Sequence, residues 1–315
     1  MKIRNILAIT SAALLSIGSL SACSSQSAST QESSTVNTLN VSDYDQLLQN
    51  TPVASDEVIA KSTWASEIKK AGTLKIGGVS TSTLFALESI EDKKIRGFDS
   101  GLAQMLARYI LGDNARVEQT QVTSSTREEV LINGTVNAVF ATYSITDERK
   151  EKIDFAGPYF VSQQGILVKK NNSNISGLND LSGKTVGVQA GSTTPDILKE
   201  FAPQANVKEY QTDDEIQEAL AQGRIDAYVV DNTLLASAVA ERPADFKIVG
   251  DPFGPEDPYG IGLPKGSDGA EFVNEFLNTI TTNGSWEKLW KICIGDRTQQ
   301  TQAPQAPTVA AKENE

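Results

Sequence analysis

The sequence predicts an α/β protein with largely parallel sheets, and two observations indicate this class. Between residue 55 and residue 298, short apolar runs alternate with segments of helical periodicity. The rhythm starts again near Lys184, so it occurs twice along the chain. Strands that alternate with helices at this spacing form parallel strand–helix–strand units. We therefore expect α/β units in both halves of the chain.

The first half contains apolar runs typical of strands and a helix with a one-sided apolar stripe. Leu102, Met105, Leu106, Tyr109 and Ile110 make that stripe. The predicted elements are a strand at 74–79, a helix at 98–111, a strand at 117–122, a helix at 126–132 and a strand at 138–141.

The second half repeats the pattern. Its predicted elements are a strand at 184–188, a helix from about 194, a strand at 207–210, a helix at 213–222 and a strand at 227–230. Segments 131–139 and 220–228 match in kind, because each ends a helix at a glycine suited to the left-handed cap and then enters a strand. This pattern is also a common way to pass from a helix to a strand.

Polar residues follow both copies of this repeat. Ser144 and Arg149 follow the first copy, and Asp231 follows the second. Ligands of open α/β sheets bind outside the carboxyl ends of the strands. Two such sheets that face each other would form a cleft with opposite charges on its walls.

Arg149 stands beside a run of hydroxyl residues, and a guanidinium with hydroxyl donors suits two-pronged capture of a carboxylate. Asp231 suits a cation. Two alternatives stay open on the residues alone. Arg149 would also serve as a surface partner of Glu148 and Glu151, and Asp231 as the N-cap of a helix that begins near residue 233.

Composition favours recognition over catalysis. The 315-residue chain has no histidine and two cysteines, and its formal net charge is −12. An acidic surface argues against nucleic acid and against polybasic docking to membranes. With Cys23 assigned below to a lipid, Cys293 has no partner for a disulfide, and we expect it to be a small buried hydrophobe.

The N-terminus is typical of a targeting segment. Lys2 and Arg4 precede an apolar run at 6–17 that is too short to span a bilayer. The following Leu-Ser-Ala-Cys tetrad resembles the bacterial lipoprotein cleavage box, which implies a lipid on Cys23; the alternative is an ordinary signal cut nearby. Loss of 1–22 removes two positive charges, so −12 becomes −14.

The regions flanking the predicted core have simpler compositions. A Ser/Thr/Gln-rich stretch favours a flexible linker over 23–54, and a helix is expected at 55–72. The tail at 299–315 is rich in Pro, Gln and Ala, and is expected to be disordered.

A set of motifs carries a family resemblance. They are Gly-Thr-Leu-Lys-Ile-Gly at 72–77, Arg-Gly-Phe-Asp at 96–99, Ser-Ile-Thr-Asp-Glu-Arg at 144–149, Asp-Phe-Ala-Gly-Pro-Tyr at 154–159, Leu-Ser-Gly-Lys-Thr-Val-Gly-Val at 181–188, Tyr-Gly-Ile-Gly-Leu-Pro-Lys-Gly at 259–266 and Asn-Gly-Ser-Trp at 283–286. In this order, over residues 63–295, they resemble the amino-acid-binding branch of the bacterial extracellular solute-binding proteins, family 3, the receptors of ABC-type importers.

The resemblance implies a two-lobed, type II periplasmic-binding-protein fold that closes on its ligand about two hinge strands. The first lobe would comprise 73–158 and 260–298, and the second 164–254. It also implies an ABC permease as partner, an extracytoplasmic monomer, and no cofactor, metal or nucleic acid.

Site residues follow from the same resemblance. Arg149 would grip the α-carboxylate, Ser144 would share the head group, and Thr142 would contribute backbone contacts. Thr193 would be a second carboxylate contact, and Asp231 would receive the α-ammonium.

Two further positions in the predicted site have open alternatives. Thr194 begins a helix whose free N–H groups suit an anion, although both threonines there would also serve only as helix caps. Phe85 lies near the position of an aromatic that packs on the ligand's aliphatic part. The Pro-Phe pattern is absent at that position, and a core role is the alternative.

The ligand is expected to be glutamate first, and glutamine or aspartate second, because the motifs near 156–161 and 258–265 resemble such members. Candidate cations for a side-chain carboxylate are Arg96, Lys94 and Lys61. An amide would be recognised by polar residues, namely Ser80, Thr81, Ser82, Gln163 or Gln189. The alternatives to a transport receptor are an enzyme on the same fold, such as a dehydratase, and a sensory surface lipoprotein.

Overall fold

The computed structural model describes residues 38–298, 300 and 302–308. The predicted leader, Cys23 and the first part of the predicted linker lie outside the described residues.

The strands of the described part include two that are far longer than the rest. They are β1 (Leu74–Gly78), β2 (Thr81–Ser82), β3 (Ala86–Glu88), β4 (Ile95–Arg96), β5 (Val117–Gln121), β6 (Ala138–Ser144), β7 (Asp154–Lys169), β8 (Thr185–Gln189), β9 (Asn206–Tyr210), β10 (Ala227–Asp231) and β11 (Phe246–Leu263).

Helices cover these strands. They are α1 (Val41–Gln49), α2 (Asp56–Ala60), α3 (Thr63–Ala71), α4 (Phe98–Leu111), α5 (Arg127–Ile132), α6 (Asp147–Lys152), α7 (Thr194–Phe201), α8 (Asp213–Ala221), α9 (Asn232–Glu241), α10 (Gly269–Thr282), α11 (Ser285–Trp290) and α12 (Asp296–Thr298). A 3-10 turn at Leu178–Leu181 and a π-helical turn at Lys291–Gly295 complete the set.

The main sheet has the strand order β5-β1-β6-β11-β7-β10-β8-β9. Neighbouring strands are parallel within β5-β1-β6 and within β10-β8-β9. The long strands β7 and β11 pair with each other in antiparallel register and lie between these two groups. This arrangement confirms the predicted α/β class with its parallel sheets.

Separate hydrophobic cores lie on the two sides of the long strands. One core packs α1–α4, α10 and α11 against β1 and β6, and a smaller one lies under α5. Two other cores cover the two faces of β8 and β10. We call the β1–β6 side the first lobe and the β8–β10 side the second lobe. Cys293 is buried in the first core with no disulfide partner, as expected of a small hydrophobe.

The prediction of a flexible linker as far as residue 54 was wrong for its last part, because residues 41–49 form α1. The Asn40 side chain caps this helix by accepting a hydrogen bond from the Asp43 N–H. Tyr44, Leu47 and Leu48 have the helical i, i+3, i+4 spacing and are buried in the first core. The stretch is polar on average, but these three residues supply the apolar contacts that hold the helix against the core.

Two smaller differences occur at the ends of the folded region. The single helix predicted at 55–72 is divided into α2 and α3, since the Ser62 side chain caps a new helix at Thr63. In the predicted disordered tail, residues 302–308 form no helix or strand, but Ala303 and Ala306 pack against the first core.

Candidate functional site

The candidate site lies where the carboxyl ends of β6 and β10 face each other across the long strands. A groove of about 750 Å³ is lined by residues of both lobes, including Ser124, Arg149, Thr193 and Asp257. A smaller cavity of about 110 Å³ shares Ser124 with this groove. The two spaces therefore form neighbouring compartments of one cleft.

The cleft is closed by direct contacts between the lobes. Hydrogen bonds across it join Ser124 to Gln189, Ser125 to the carbonyl of Ala190, Thr83 to Glu241 and Ser82 to Ser237. Since the long strands that carry the two lobes are continuous with both, these contacts are the ones that would break if the lobes swung apart.

Arg149 bridges the two lobes. The Thr146 side chain caps α6 and so fixes the turn that carries the arginine. Its Nη1 donates to the carbonyl of Ser144 at 2.8 Å, and its Nη2 donates to the carbonyl of Gly191 at 3.0 Å. The side chain is buried, and Glu128 lies 3.9 Å from Nε. The surface ion-pair alternative with Glu148 and Glu151 is therefore wrong.

Thr142 has an unusual backbone at the end of β6. Its φ is +42°, in the left-handed region that β-branched residues rarely adopt. The carboxylate of Asp99 holds this conformation by accepting a hydrogen bond from the Thr142 N–H at 2.8 Å. Tyr159 donates to the other oxygen of Asp99. Burial raises the pKa of Asp99 to about 6.

Asp231 occupies the N-cap position of α9, yet its side chain makes no capping hydrogen bond. Instead Oδ1 accepts from Gln164 Nε2 and Oδ2 accepts from the Tyr259 hydroxyl, both at 2.7 Å. The plain N-cap alternative is therefore wrong. Gln164 and Tyr259 lie on β7 and β11, so the long strands position this carboxylate.

Asp257 is a second carboxyl group at the same point, and the sequence analysis missed it. It accepts a hydrogen bond from Ser144 Oγ at 3.0 Å, and it lines the groove. Burial and the neighbouring Asp231 raise the pKa of Asp257 to about 8. Burial likewise raises the pKa of Asp231, against the lowering effect of its hydrogen-bond donors.

The two threonines predicted on α7 have different positions. Thr194 is buried, and its hydroxyl donates to Gln164 Oε1 at 2.7 Å, which links it through Gln164 to Asp231. Thr193 lines the groove. The Thr193 side chain makes no capping hydrogen bond. The alternative that Thr193 only caps the helix is therefore wrong, and Thr194 lies behind the groove as a partner of Gln164.

The prediction that the ring of Phe85 contacts a ligand is not supported. The ring is fully buried and packs edge-on against Phe98, Phe160 and Tyr259. It is a core residue of the first lobe. The absence of a Pro-Phe pattern was the available sign of this.

Arg127 is a buried cation that the sequence analysis also missed. Its guanidinium carbon lies 3.8 Å from the centre of the Tyr143 ring, and Nη1 donates to the carbonyl of Ala141 at 3.0 Å. Its Nε is buried without a hydrogen-bond partner, and among the described residues no carboxylate lies within 4 Å of the group. Burial, followed by the nearby Arg149, lowers the pKa of Arg127 to about 10. A signal existed, because Arg127 follows a hydroxyl run just as Arg149 does.

The cations predicted to read the ligand side chain lie elsewhere. Arg96 is hydrogen-bonded to Asp92, and it lines a separate groove of the first lobe together with Lys94. Lys61 is an exposed residue at the end of α2. Of the residues that the structure describes, Arg127 is therefore the cation that lines the small cavity.

Only some of the residues predicted to recognise a side-chain amide line the small cavity. Thr81, Ser82 and Gln189 line the small cavity. Ser80 donates a hydrogen bond to Gln121, which also lines the cavity. Gln163 donates to the backbone of Gly254 on β11.

Two α/β lobes on a pair of long shared strands, closed over a polar cleft, define a type II solute-binding fold. The chain belongs to the bacterial extracellular solute-binding proteins, family 3, whose family model matches residues 74–295.

Individual relatives agree with this assignment. The chain is 38% identical to a glutamine-binding protein of Geobacillus stearothermophilus over 80% of this chain and 89% of the relative. It is 32% identical to the glutamate-binding protein GluB of Corynebacterium efficiens over 67% of this chain and 75% of the relative. Among solved structures, the solute receptor for L-cysteine of Neisseria gonorrhoeae has a TM-score of 0.72 at 26% identity, with 78% of this chain and 99% of that chain covered.

Proposed function

We propose that this protein is an extracytoplasmic receptor that captures glutamate by closure of its two lobes and delivers it to an ABC-type permease. The observation that carries the proposal is that two buried groups of opposite charge follow facing strand ends of the two lobes: Arg149, which lines the groove after β6, and Asp231, which ends β10. A guanidinium and a carboxylate so arranged suit the two charges of an amino acid.

The free-energy cost of removing an amino acid's two charges from water explains why both protein groups are needed. Removal of a zwitterion from water costs several kcal/mol for each charge unless that charge is paired and hydrogen-bonded. Arg149 donates to two backbone carbonyls, and a carboxylate is a stronger acceptor for these donors than a carbonyl. Asp231 would accept from the ammonium. The ligand thus binds the closed form best, because only there do both lobes contact it.

The position of Arg127 favours a ligand with an acidic side chain. It lines the small cavity beside Thr142, and its Nε has no acceptor. A second carboxylate in that cavity would pair with the buried guanidinium and occupy this donor. Glutamate carries such a carboxylate at the end of its side chain.

Glutamine is the second candidate, and the lining of the small cavity favours it. Gln121, Gln189 and Gln217 line this space together with hydroxyl groups, and so do Asp213 and Glu241. An amide donates and accepts, so it suits a lining of mixed donors and acceptors. The named relatives include binding proteins for each of these two amino acids.

Attachment to the membrane by a lipid on Cys23 is part of the proposal. None of the described helices combines the length and the apolarity needed to cross a bilayer. The test is mass spectrometry of the N-terminal peptide from protein made in a bacterial host. A diacylglyceryl cysteine at position 23 is expected, and Cys23→Ser should abolish both the modification and sedimentation with membranes. An unmodified peptide that begins elsewhere would contradict the anchor.

We also propose binding without turnover. The buried Asp257 has the raised pKa that a proton-transferring enzyme would need. One of its oxygens, however, accepts from Ser144, the hydroxyl proposed to share the ligand's head group. Prolonged incubation with a bound amino acid should leave its proton NMR spectrum unchanged. A new product would instead favour an enzyme.

Calorimetry with each standard amino acid tests the ligand. Glutamate is expected to bind most tightly, with glutamine next. Asp231→Asn leaves the ammonium without its charged acceptor, and should weaken binding about tenfold to a hundredfold. An analogue that lacks the α-amino group should bind this variant and the parent protein with equal affinity. Equal binding of amino acids to parent and variant would contradict the proposed site.

A further inference from the structure

One wall of the small cavity is a single face of the helix α9. Leu234, Ser237, Ala238 and Glu241 line the cavity, and their i, i+3, i+4, i+7 spacing places them on one side of the helix. In the part of the chain that the structure describes, the residues that line the groove come from elements other than α9. The α9 face therefore bounds the cavity where the groove does not reach.

The first lobe meets this face through β2 and the residues that follow it. Ser82 donates to Ser237 Oγ at 3.4 Å, and the same oxygen accepts from the Leu84 N–H at 3.4 Å. Thr83 donates to Glu241 Oε2 at 3.2 Å. Both Ser82 and Thr83 line the cavity. Contacts between the two lobes thus close this end of the cavity.

We propose that Ser82 and Ser237 are specificity-determining residues, because their contact is the end wall that limits the ligand's side chain to the length of glutamate or glutamine. This inference rests on the proposed function, since it assumes that an amino acid places its side chain in the small cavity.

The volume of the cavity agrees with this limit. Its size of about 110 Å³ equals the volume that roughly four molecules of liquid water occupy. That is the size of the group that glutamate or glutamine carries beyond Cβ, a methylene with a carboxylate or an amide. The side chain of arginine has a further methylene and ends in a larger guanidinium, so it exceeds the space.

The wall discriminates length through the contact between the lobes. A longer side chain would have to occupy the space between Ser82 and Ser237, and would keep the lobes apart at that point. Arg149 and Asp231, which are proposed to bind the head group, belong to different lobes. A ligand that separates the lobes therefore loses head-group contacts as well, which makes its binding weaker than the local clash alone would.

Amino acids that differ by one methylene test the wall in the unmutated protein. Calorimetry with aspartate, glutamate and 2-aminoadipate, the homologue of glutamate with one more methylene, gives the dissociation constants. Glutamate is expected to bind most tightly, and 2-aminoadipate about tenfold to a hundredfold more weakly. If the protein prefers the amide, asparagine, glutamine and homoglutamine form the same series. Equal binding of the longest ligand and the middle one would overturn this assignment while the proposed function stands.

Ser237→Gly opens the wall. It should reduce the preference for glutamate over 2-aminoadipate about fivefold or more, because the added methylene then has space. The matched control is Ser66→Gly, which makes the same change inside α3, away from the cavity. Glycine weakens a helix at either position, so the control separates selectivity from stability. Its preference should equal that of the unmutated protein.

Ser82→Leu fills the cavity from the first lobe and tests the wall in the opposite direction. It should weaken glutamate about tenfold or more, and should leave the shorter aspartate within about threefold. An unchanged preference in Ser237→Gly, or equal losses of glutamate and aspartate in Ser82→Leu, would overturn the assignment of the wall but not the proposed function. Failure of every standard amino acid to bind the unmutated protein would instead overturn the proposed function, and this assignment with it.

Discussion

Arg149 donates a hydrogen bond from Nη2 to the carbonyl oxygen of Gly191 at 3.0 Å, and the two residues belong to different lobes. The same guanidinium holds the carbonyl of Ser144 in its own lobe. The group proposed to grip the ligand's carboxylate thus also joins the two lobes. A carboxylate that binds there takes over donors whose geometry is already fixed, which limits the ordering cost of binding.

Arg149→Lys should therefore weaken amino-acid binding by about a hundredfold or more. A lysine ammonium is a point charge on a flexible stem, so it cannot serve two acceptors with a planar fork. Loss of one or two charged hydrogen bonds, about 1.5–3 kcal/mol each, gives this magnitude. Isothermal titration with glutamate measures it.

The matched control for this prediction is Arg116→Lys, at an exposed arginine outside the cleft. Its affinity should equal that of the parent. Circular dichroism and thermal unfolding should show both variants folded. A lysine variant at position 149 that retains parental affinity would show that the carboxylate binds elsewhere.

Arg127→Gln should change the selectivity between glutamate and glutamine more than it weakens the binding of both. If Arg127 pairs with the side-chain carboxylate of glutamate, its removal should cost glutamate about tenfold or more relative to glutamine. Dissociation constants for both ligands, in the parent and in the variant, give this ratio. Equal losses for the two would mean that Arg127 acts only through packing on Tyr143.

The sequence could predict groups that lie next to recognisable strand ends. Ser144 ends β6, Arg149 follows it and Asp231 ends β10; all three are buried, and Arg149 lines the groove. Asp257 and Gln164 lie inside long strands, where no local pattern marks them. Their proximity to Asp231 depends on the register between β7, β10 and β11, which is set by tertiary pairing.

Local sequence features misled the prediction in two other places. The helix α1 lies in a mostly polar stretch, so composition predicted a linker. Three buried side chains are nevertheless enough to pack the helix against the core. Phe85 was assigned to the site from its position in the chain alone, whereas its burial depends on rings that come from α4, β7 and β11.

Leu48→Ala tests whether α1 is part of the folded unit. Leu48 is 1% exposed within the first core. Truncation of a buried leucine costs about 2–5 kcal/mol, because transfer energy is lost and a cavity remains. Urea denaturation should show this loss of unfolding free energy. Val41→Ala, at a residue 42% exposed on the same helix, should change it by less than about 0.5 kcal/mol. Equal small effects would return this segment to the linker.

Asp99 should make the unfolding free energy depend on pH. Burial raises its folded pKa to about 6, above the ordinary value of an unfolded aspartate. A raised folded pKa means that the native state binds the proton more tightly, so stability falls as pH rises through about 6. Between pH 5 and 7.5 the loss from this group should be about 1–2 kcal/mol.

Asp99→Asn isolates that contribution, because the amide oxygen still accepts from the Thr142 N–H while the titration is removed. The difference in unfolding free energy between variant and parent should therefore move in favour of the variant by about 1–2 kcal/mol from pH 5 to pH 7.5. The control is Asp180→Asn, since hydrogen bonds from Ser176 lower the pKa of Asp180 and place its titration below this window. Urea denaturation of the ligand-free protein at the two pH values measures both differences. A difference for Asp99→Asn that does not change with pH would show that this carboxyl group ionises as readily in the folded chain as in the unfolded one.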